Sequence, residues 1–123
     1  MLMSKSVLII DDEADICFLL SNILKERNIK ASYANTLGDG INKIISLKPH
    51  ILFLDINLPD GSGLDAIVKI KELAPEIKII IISAYDSSKE RAAAFEQGAN
   101  MFLSKPLNKN LIYSAFEQIL DAP

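Results

Sequence analysis

The sequence predicts an α/β domain of (βα)5 type: a doubly wound parallel sheet of five strands, order 2-1-3-4-5, covered by helices on both faces in three layers. Three observations predict it. Five short apolar runs recur along the chain: Val7–Ile10, Ala31–Ala34, Ile51–Leu54, Ile79–Ile82 and Met101–Leu103. Segments of helical period fill the intervals between them. Three of the runs are continuous rather than alternating, as befits parallel strands buried on both faces. Right-handed crossovers leave few topologies for such a chain, and 2-1-3-4-5 is the common five-strand order.

The elements follow in order. Val7–Ile10 is a buried strand, and Ile16, Leu19, Leu20, Ile23 and Leu24 then form one apolar helical stripe. Ala31–Ala34 is the weakest run and fits an edge strand. Thr36 with Asp39 three residues on is a capping-box arrangement that opens a second helix, striped by Leu37, Ile41, Ile44 and Ile45. Pro49 stands just before the third strand. Leu64, Ile67 and Val68 mark a third helix that stops near Pro75. Ser87 with Glu90 repeats the cap before an Ala-rich fourth helix, which Gly98 ends. Ile112, Ala115, Phe116 and Ile119 give the fifth.

Composition narrows the function. With 123 residues, 50% of them hydrophobic and 24% charged, the chain has the size and content of one folded domain, expected to span 1–123 with no output domain in this chain. A net charge of −3 without a Lys/Arg cluster argues against direct nucleic-acid binding. A single cysteine, Cys17, suits a reducing compartment. Apolar runs of four to five residues are too short for a membrane span, and the N-terminus lacks the pattern of a signal peptide. A cytoplasmic protein is expected.

In open parallel sheets, ligands bind beyond the carboxyl ends of the strands, near the point where strand order reverses. The first run is followed there by Asp11, Asp12, Glu13 and Asp15, and the third by Asp55, Asn57 and the turn Pro59-Asp60-Gly61. Ser83 follows the fourth run, and Ser104, Lys105 and Pro106 follow the fifth. If strands 1 and 3 are neighbours, Asp11, Asp12 and Asp55 converge. Carboxylates about 5 Å apart at an effective dielectric near 20 repel by about 3 kcal/mol per pair. A shared proton or a bound cation relieves that, and hard oxygen ligands in a small, partly open site favour Mg²⁺ with a phosphate as co-ligand. Lys105 adds a positive charge and Ser83 a hydroxyl, which completes the parts that phosphoryl transfer needs. Taken singly, each residue is better read as a helix cap, a turn former or a solvated loop residue, and Asp12 could cap the first helix. Together at one sheet edge, they point to chemistry.

On these residues the chain resembles the receiver domain of bacterial two-component response regulators, over essentially its whole length. The resemblance is carried by VLIIDDEADI at 7–16, ILFLDINLPDGSGLD at 51–65, IIIISA at 79–84 and GANMFLSKP at 98–106. It implies a flavodoxin-like fold and a signalling role rather than an enzyme's. Asp55 would be the phosphoacceptor, taking its phosphoryl group from a sensor histidine kinase or a histidine phosphotransferase. Asp12 and Asp55 would bind Mg²⁺ directly, Asp11 directly or through water, and Asn57 through its backbone carbonyl. Lys105 would contact the phosphoryl group, its bond to Pro106 being cis. Ser83 would move to the phosphoryl oxygen as Phe102, the switch aromatic, turns inward. The face formed by helix 4, strand 5 and helix 5 would then signal to a downstream effector or a missing output domain. Whether phosphorylation also drives dimerisation is left open. Asn57 and Tyr85 hold positions that tune phosphoryl lifetime in the family.

Two other readings fit the fold less well. A haloacid-dehalogenase-like phosphatase, which also forms an aspartyl phosphate, needs a second acid where Asn57 stands. A flavodoxin-like binding module would want a phosphate-cradling loop where Asp11, Asp12 and Glu13 repel phosphate. His50, at the opposite end of the sheet, reads as a loop residue, and Cys17 as a packing or surface residue. Phe18 falls off the apolar stripe and is expected at the surface near the acidic site.

Overall fold

A computed structural model describes residues 5–121. The outermost positions of the expected 1–123 unit, 1–4 and 122–123, lie outside the described residues. The chain runs β1 (Ser6–Ile10), α1 (Ala14–Lys25), β2 (Lys30–Ala34), α2 (Leu37–Leu47) and β3 (Ile51–Asp55). It continues through α3 (Gly63–Leu73), β4 (Lys78–Ser83), α4 (Ser88–Gln97), β5 (Met101–Ser104) and α5 (Lys109–Asp121). These five strands pair in parallel in the order β2-β1-β3-β4-β5. Between β3 and α3, Asn57–Leu58 and Gly61–Ser62 form a separate two-residue antiparallel ladder. Sequence reading did not anticipate that small hairpin.

Alternation along each strand divides the core into two layers. Val7, Ile9, Phe53, Ile80 and Ile82 pack on one face with Leu20 and Leu24 of α1 and Ile112 and Phe116 of α5. Leu8, Ile10, Leu52, Leu54, Ile79 and Ile81 pack on the other with Ile44 of α2, Ile67 and Ile70 of α3 and Ala94 of α4. Nearly every side chain of the three central strands is buried on one face or the other, and this is why their sequences read as unbroken apolar runs.

The helices are turned slightly from the expected stripes. Cys17 is buried in α1 while Leu19 is partly exposed, and Ile45 and Val68 face solvent while Gly40 and Ile70 take buried places. Gly40 is required where it stands, because a Cβ there would overlap the Ile10 side chain and hold α2 off the sheet. Thr36 and Ser87 cap α2 and α4 as their spacing implies, and Gly98 ends α4 at φ +119°. The N-cap of α1 is Glu13 rather than Asp12, and its side chain makes no capping bond. Among the described residues, no helix is long and apolar enough to cross a membrane.

Candidate functional site

The chemistry-bearing residues cluster at the carboxyl end of the sheet, and strand alternation decides which way each one faces. Asp11 lies one residue beyond β1 and keeps the ladder going, its N–H donating to the Ala34 carbonyl at 3.1 Å. Lys105 extends β5 in the same way, its N–H donating to the Ser83 carbonyl at 2.8 Å. Asp11 therefore continues the parity of Val7 and Ile9, Asp55 that of Phe53, and Lys105 that of Leu103. All three point to the α1/α5 side. Ser83, Phe102 and Ser104 have the opposite parity and point towards α3 and α4.

On the first side, one carboxylate oxygen from each of Asp11, Asp12 and Asp55 falls within a group spread over no more than 4.8 Å. Asp11 is fully buried, Asp55 nearly so, and Asp12 exposed on the rim. The Lys105 ammonium sits 3.0 Å from Asp11 Oδ2, 3.0 Å from Glu13 Oε1 and 3.6 Å from Asp55 Oδ2. Burial, together with the neighbouring Asp11 charge, pushes the Asp55 carboxyl up to about 6 against the pull of Lys105. Burial also raises Asp11, outweighing its N–H bond from Glu13 and the nearby lysine. For Lys105 burial works against the charge, but Asp11, Glu13 and Asp55 more than offset it and keep the ammonium protonated.

One cation cannot satisfy three carboxylates. Asp11 Oδ2 is fully buried and, beyond its ion pair with the Lys105 ammonium, has no hydrogen-bond partner. A buried oxygen left in that state is costly. A compact set of hard, anionic oxygens with one unsatisfied acceptor and one exposed member suits a divalent ion that retains water. The residues present therefore fit Mg²⁺.

On the other side, the Ser83 hydroxyl is turned away from Asp55. It donates to the Tyr85 carbonyl at 2.9 Å and accepts from the Tyr85 N–H at 3.0 Å. Phe102 is already only 4% exposed, packed among the α3/α4-side core residues. The Arg91 guanidinium covers its ring at 4.7 Å. Phe102 is thus buried in the same arrangement in which Ser83 bonds Tyr85.

Other expected residues fall into place. The Lys105–Pro106 bond is cis. The Asn57 N–H donates to Asp55 Oδ1 at 3.4 Å, close enough to put the Asn57 backbone beside the acids. Phe18 and Tyr85 are exposed, Phe18 by 70%. Cys17 is buried, its thiol pushed up to about 11 by burial and the Asp11 charge, so it packs rather than reacts. His50 is far from the acids, and its Nδ1 accepts from the Ser6 N–H at 3.1 Å. An apolar cleft of about 540 Å³ opens at that far end, lined by Ile44, Ile45, Leu73 and Pro75 among others, and contains none of the three carboxylates.

Sequence reading gave no role to three supporting residues. Glu13 is a second partner for Lys105. Asp60, on the turn after Asp55, accepts from the Leu37 and Gly38 N–H groups at 2.7 and 2.9 Å and so ties that turn to the start of α2. A Cβ on Gly63 would overlap the Asp55 carbonyl oxygen, so glycine is what lets α3 begin directly against Asp55. Lys105 paired with an acid at an N-cap, and the Pro-Asp-Gly turn, were the available signals for the first two.

Comparison with known proteins agrees with this geometry. The family model for the response regulator receiver domain matches residues 7–117. The chain is 32% identical over 118 residues to the chemotaxis protein CheY of Thermotoga maritima, covering 95% of this chain and 98% of that one. It is 31% identical over 121 residues to the nitrogen assimilation regulatory protein NtrX of Azorhizobium caulinodans, covering 97% of this chain but only 27% of NtrX. A two-component response regulator from Clostridium difficile superposes with a TM-score of 0.91 at 31% identity, over 95% of this chain and 96% of the other. Five parallel strands in this order, acids gathered at their carboxyl ends and a match over nearly the full length lead to one assignment: the chain belongs to the response regulator receiver domain family, whose members are signalling modules of two-component systems.

Proposed function

We propose that Asp55 accepts a phosphoryl group from the phosphohistidine of a sensor histidine kinase or histidine phosphotransferase, and that this switches the α4–β5–α5 face. The observation that carries the reading is Asp55 itself, a buried carboxyl held among Asp11, Asp12 and Lys105. With its pKa pushed up to about 6, it is ionised at neutral pH yet more basic than an ordinary aspartate, as a nucleophile should be. A carboxylate oxygen forms the new P–O bond as the P–N bond breaks. The electron pair returns to the imidazole, which leaves neutral when its other nitrogen carries a proton.

Mg²⁺ would be held by Asp12 and Asp55, by Asp11 directly or through water, and by the Asn57 carbonyl. Bound there, it supplies positive charge to the transferring phosphoryl oxygens. Lys105 supplies more from the other side, having only to shift from Asp11 and Glu13 towards Asp55. Asp60 and Gly63 hold the acceptor backbone in position. Phosphorylation adds charge and acceptor oxygens at Asp55, so arrangements that bring Lys105 and Ser83 to it gain bonds the resting protein lacks. Ser83 then leaves Tyr85, and the β4–α4 loop moves with it. The change passes to a downstream effector or to an output domain, in the cytoplasm where the kinase acts. Loss of the phosphoryl group to water resets the domain, with Asn57 and Tyr85 at the approach.

Incubation with a small phosphodonor and Mg²⁺, followed by intact mass measurement, tests this. One added phosphoryl group is expected, and none on Asp55→Asn. Absence of the adduct on the unaltered protein refutes the reading, and rapid turnover of diverse phosphate esters would favour a phosphatase instead.

A further inference from the structure

The β4–α4 loop is fastened at two adjacent points to the strand ends beneath it. Ser83 and Ser104 are register partners on β4 and β5 and share the α3/α4 face. Ser83 grips the Tyr85 backbone, as described. One residue on, the Asp86 carboxylate takes a 2.7 Å hydrogen bond from the Ser104 hydroxyl on Oδ2. The same carboxylate forms a two-pronged pair with Arg91 of α4, Nε to Oδ1 at 2.5 Å and Nη2 to Oδ2 at 3.0 Å. Arg91 in turn lies over the Phe102 ring. A loop aspartate thus joins three elements: the loop itself, the first turns of α4 and the end of β5.

We infer that Asp86 is a positioning residue for the switch hydroxyl: through Ser104 and Arg91 it clasps the β4–α4 loop in the arrangement that holds Ser83 away from Asp55. The inference rests on the phosphoacceptor reading above and names how that site is restrained. Strand parity puts Ser83 on the α4 side of the sheet and Asp55 on the α1/α5 side. To reach a group on Asp55, the hydroxyl must release Tyr85 and swing over the strand end, and residues 84–86 must give way. The clasp opposes that movement. Its bonds are of the strong sort, a forked guanidinium–carboxylate pair and a charge-assisted hydroxyl bond. The Asp86 carboxyl is held down at about 2 by Arg91 and Ser104, so it is ionised wherever the protein functions.

A clasp that merely stabilised the fold would leave ligand affinity at Asp55 untouched. One that restrains the switch must oppose any ligand that draws Ser83 in, because such a ligand shifts the equilibrium only by its differential affinity. Beryllofluoride serves as the phosphoryl mimic, titrated at saturating Mg²⁺ alongside a separate Mg²⁺ titration. Asp86→Asn, Arg91→Gln and Ser104→Ala should each tighten beryllofluoride binding about three- to tenfold and leave the Mg²⁺ midpoint within twofold. The double variant of Asp86 and Arg91 should gain no more than the stronger single one, since both cut the same connection. Amides 84–88 should exchange faster in Asp86→Asn before any ligand is added. Unchanged or weakened beryllofluoride binding in Asp86→Asn and Ser104→Ala overturns the clasp. An unaltered protein that takes neither Mg²⁺ nor beryllofluoride overturns the phosphoacceptor reading itself, and the clasp with it.

Discussion

Replacing Asp55 by asparagine should make the metal-free protein more stable. The side chain keeps its shape but loses the charge that the site accommodates worst. A carboxyl that ionises at about 6 when folded and near 3.8 when unfolded costs the folded state up to about 3 kcal/mol at pH 7. The side chain is only 5% exposed, so solvent screens little of this. Asparagine must still place its amide N–H groups among acids, which favours it, and it retains an oxygen for the Asn57 N–H. A net gain of about 1–3 kcal/mol is expected, a rise in Tm of about 4–12 °C for a domain of this size. Thermal and urea unfolding in EDTA, followed by circular dichroism, would measure it. An unchanged or lower Tm for Asp55→Asn would mean that the three acids do not strain the fold, and the argument from crowding would fail.

The same strain predicts a pH dependence of unusual sign. Because the folded Asp55 binds its proton more tightly than the unfolded chain, its contribution to stability is fullest below pH 4 and is lost as pH rises through 6. Asp11, also raised, adds to this, whereas Asp60 and Asp86, both lowered, favour the folded state above pH 4. Urea midpoints in EDTA should therefore fall between pH 5 and 7, and Asp55→Asn should flatten that slope. Mg²⁺ should raise the Tm of the unaltered protein by mass action, about 2.7 kcal/mol at a hundredfold excess over its Kd; Asp12→Ala should need more Mg²⁺ for the same rise, and a melting curve indifferent to millimolar Mg²⁺ would discard the metal assignment. Gly63→Ala should cost about 2–4 kcal/mol, because the added methyl meets backbone at Asp55 rather than a yielding side chain; denaturant unfolding reads the loss, and a cost below 0.5 kcal/mol would show that the α3 start is free to move.

The fold was open to sequence reading because burial on both faces leaves an unmistakable mark: runs such as Ile51–Leu54 have no polar interruption to mimic a half-exposed strand. Caps at Thr36 and Ser87 and the stop at Gly98 were equally plain, since each depends on residues within three or four positions. Helix rotation was less so. Ile45 and Val68 match the helical period but lie at the margin of their stripes, and periodicity alone does not locate the edge of a buried face. The acids and Lys105 were found because they sit at the carboxyl ends of the strands: Asp55 is the last residue of β3, Asp11 and Asp12 follow β1 directly, and Lys105 follows β5. What eluded the sequence were pairings set by the third dimension: Glu13 with Lys105, Asp60 with the start of α2, and Asp86 with Ser104 and Arg91. These are surface residues of common type, and only the approach of distant segments gives them partners. The orientation of Ser83 was within reach, since counting alternate residues from Ile81 places it opposite Asp55.

That opposition has a consequence for how such a domain diversifies. On the proposed function, the wall of apolar strands would separate where a signal is written from where it is read. Substitutions on the reading side, in α4 or its preceding loop, would then alter the threshold and the audience of the message while leaving the ink chemistry alone. A lineage could thus acquire new listeners without renegotiating with its donors.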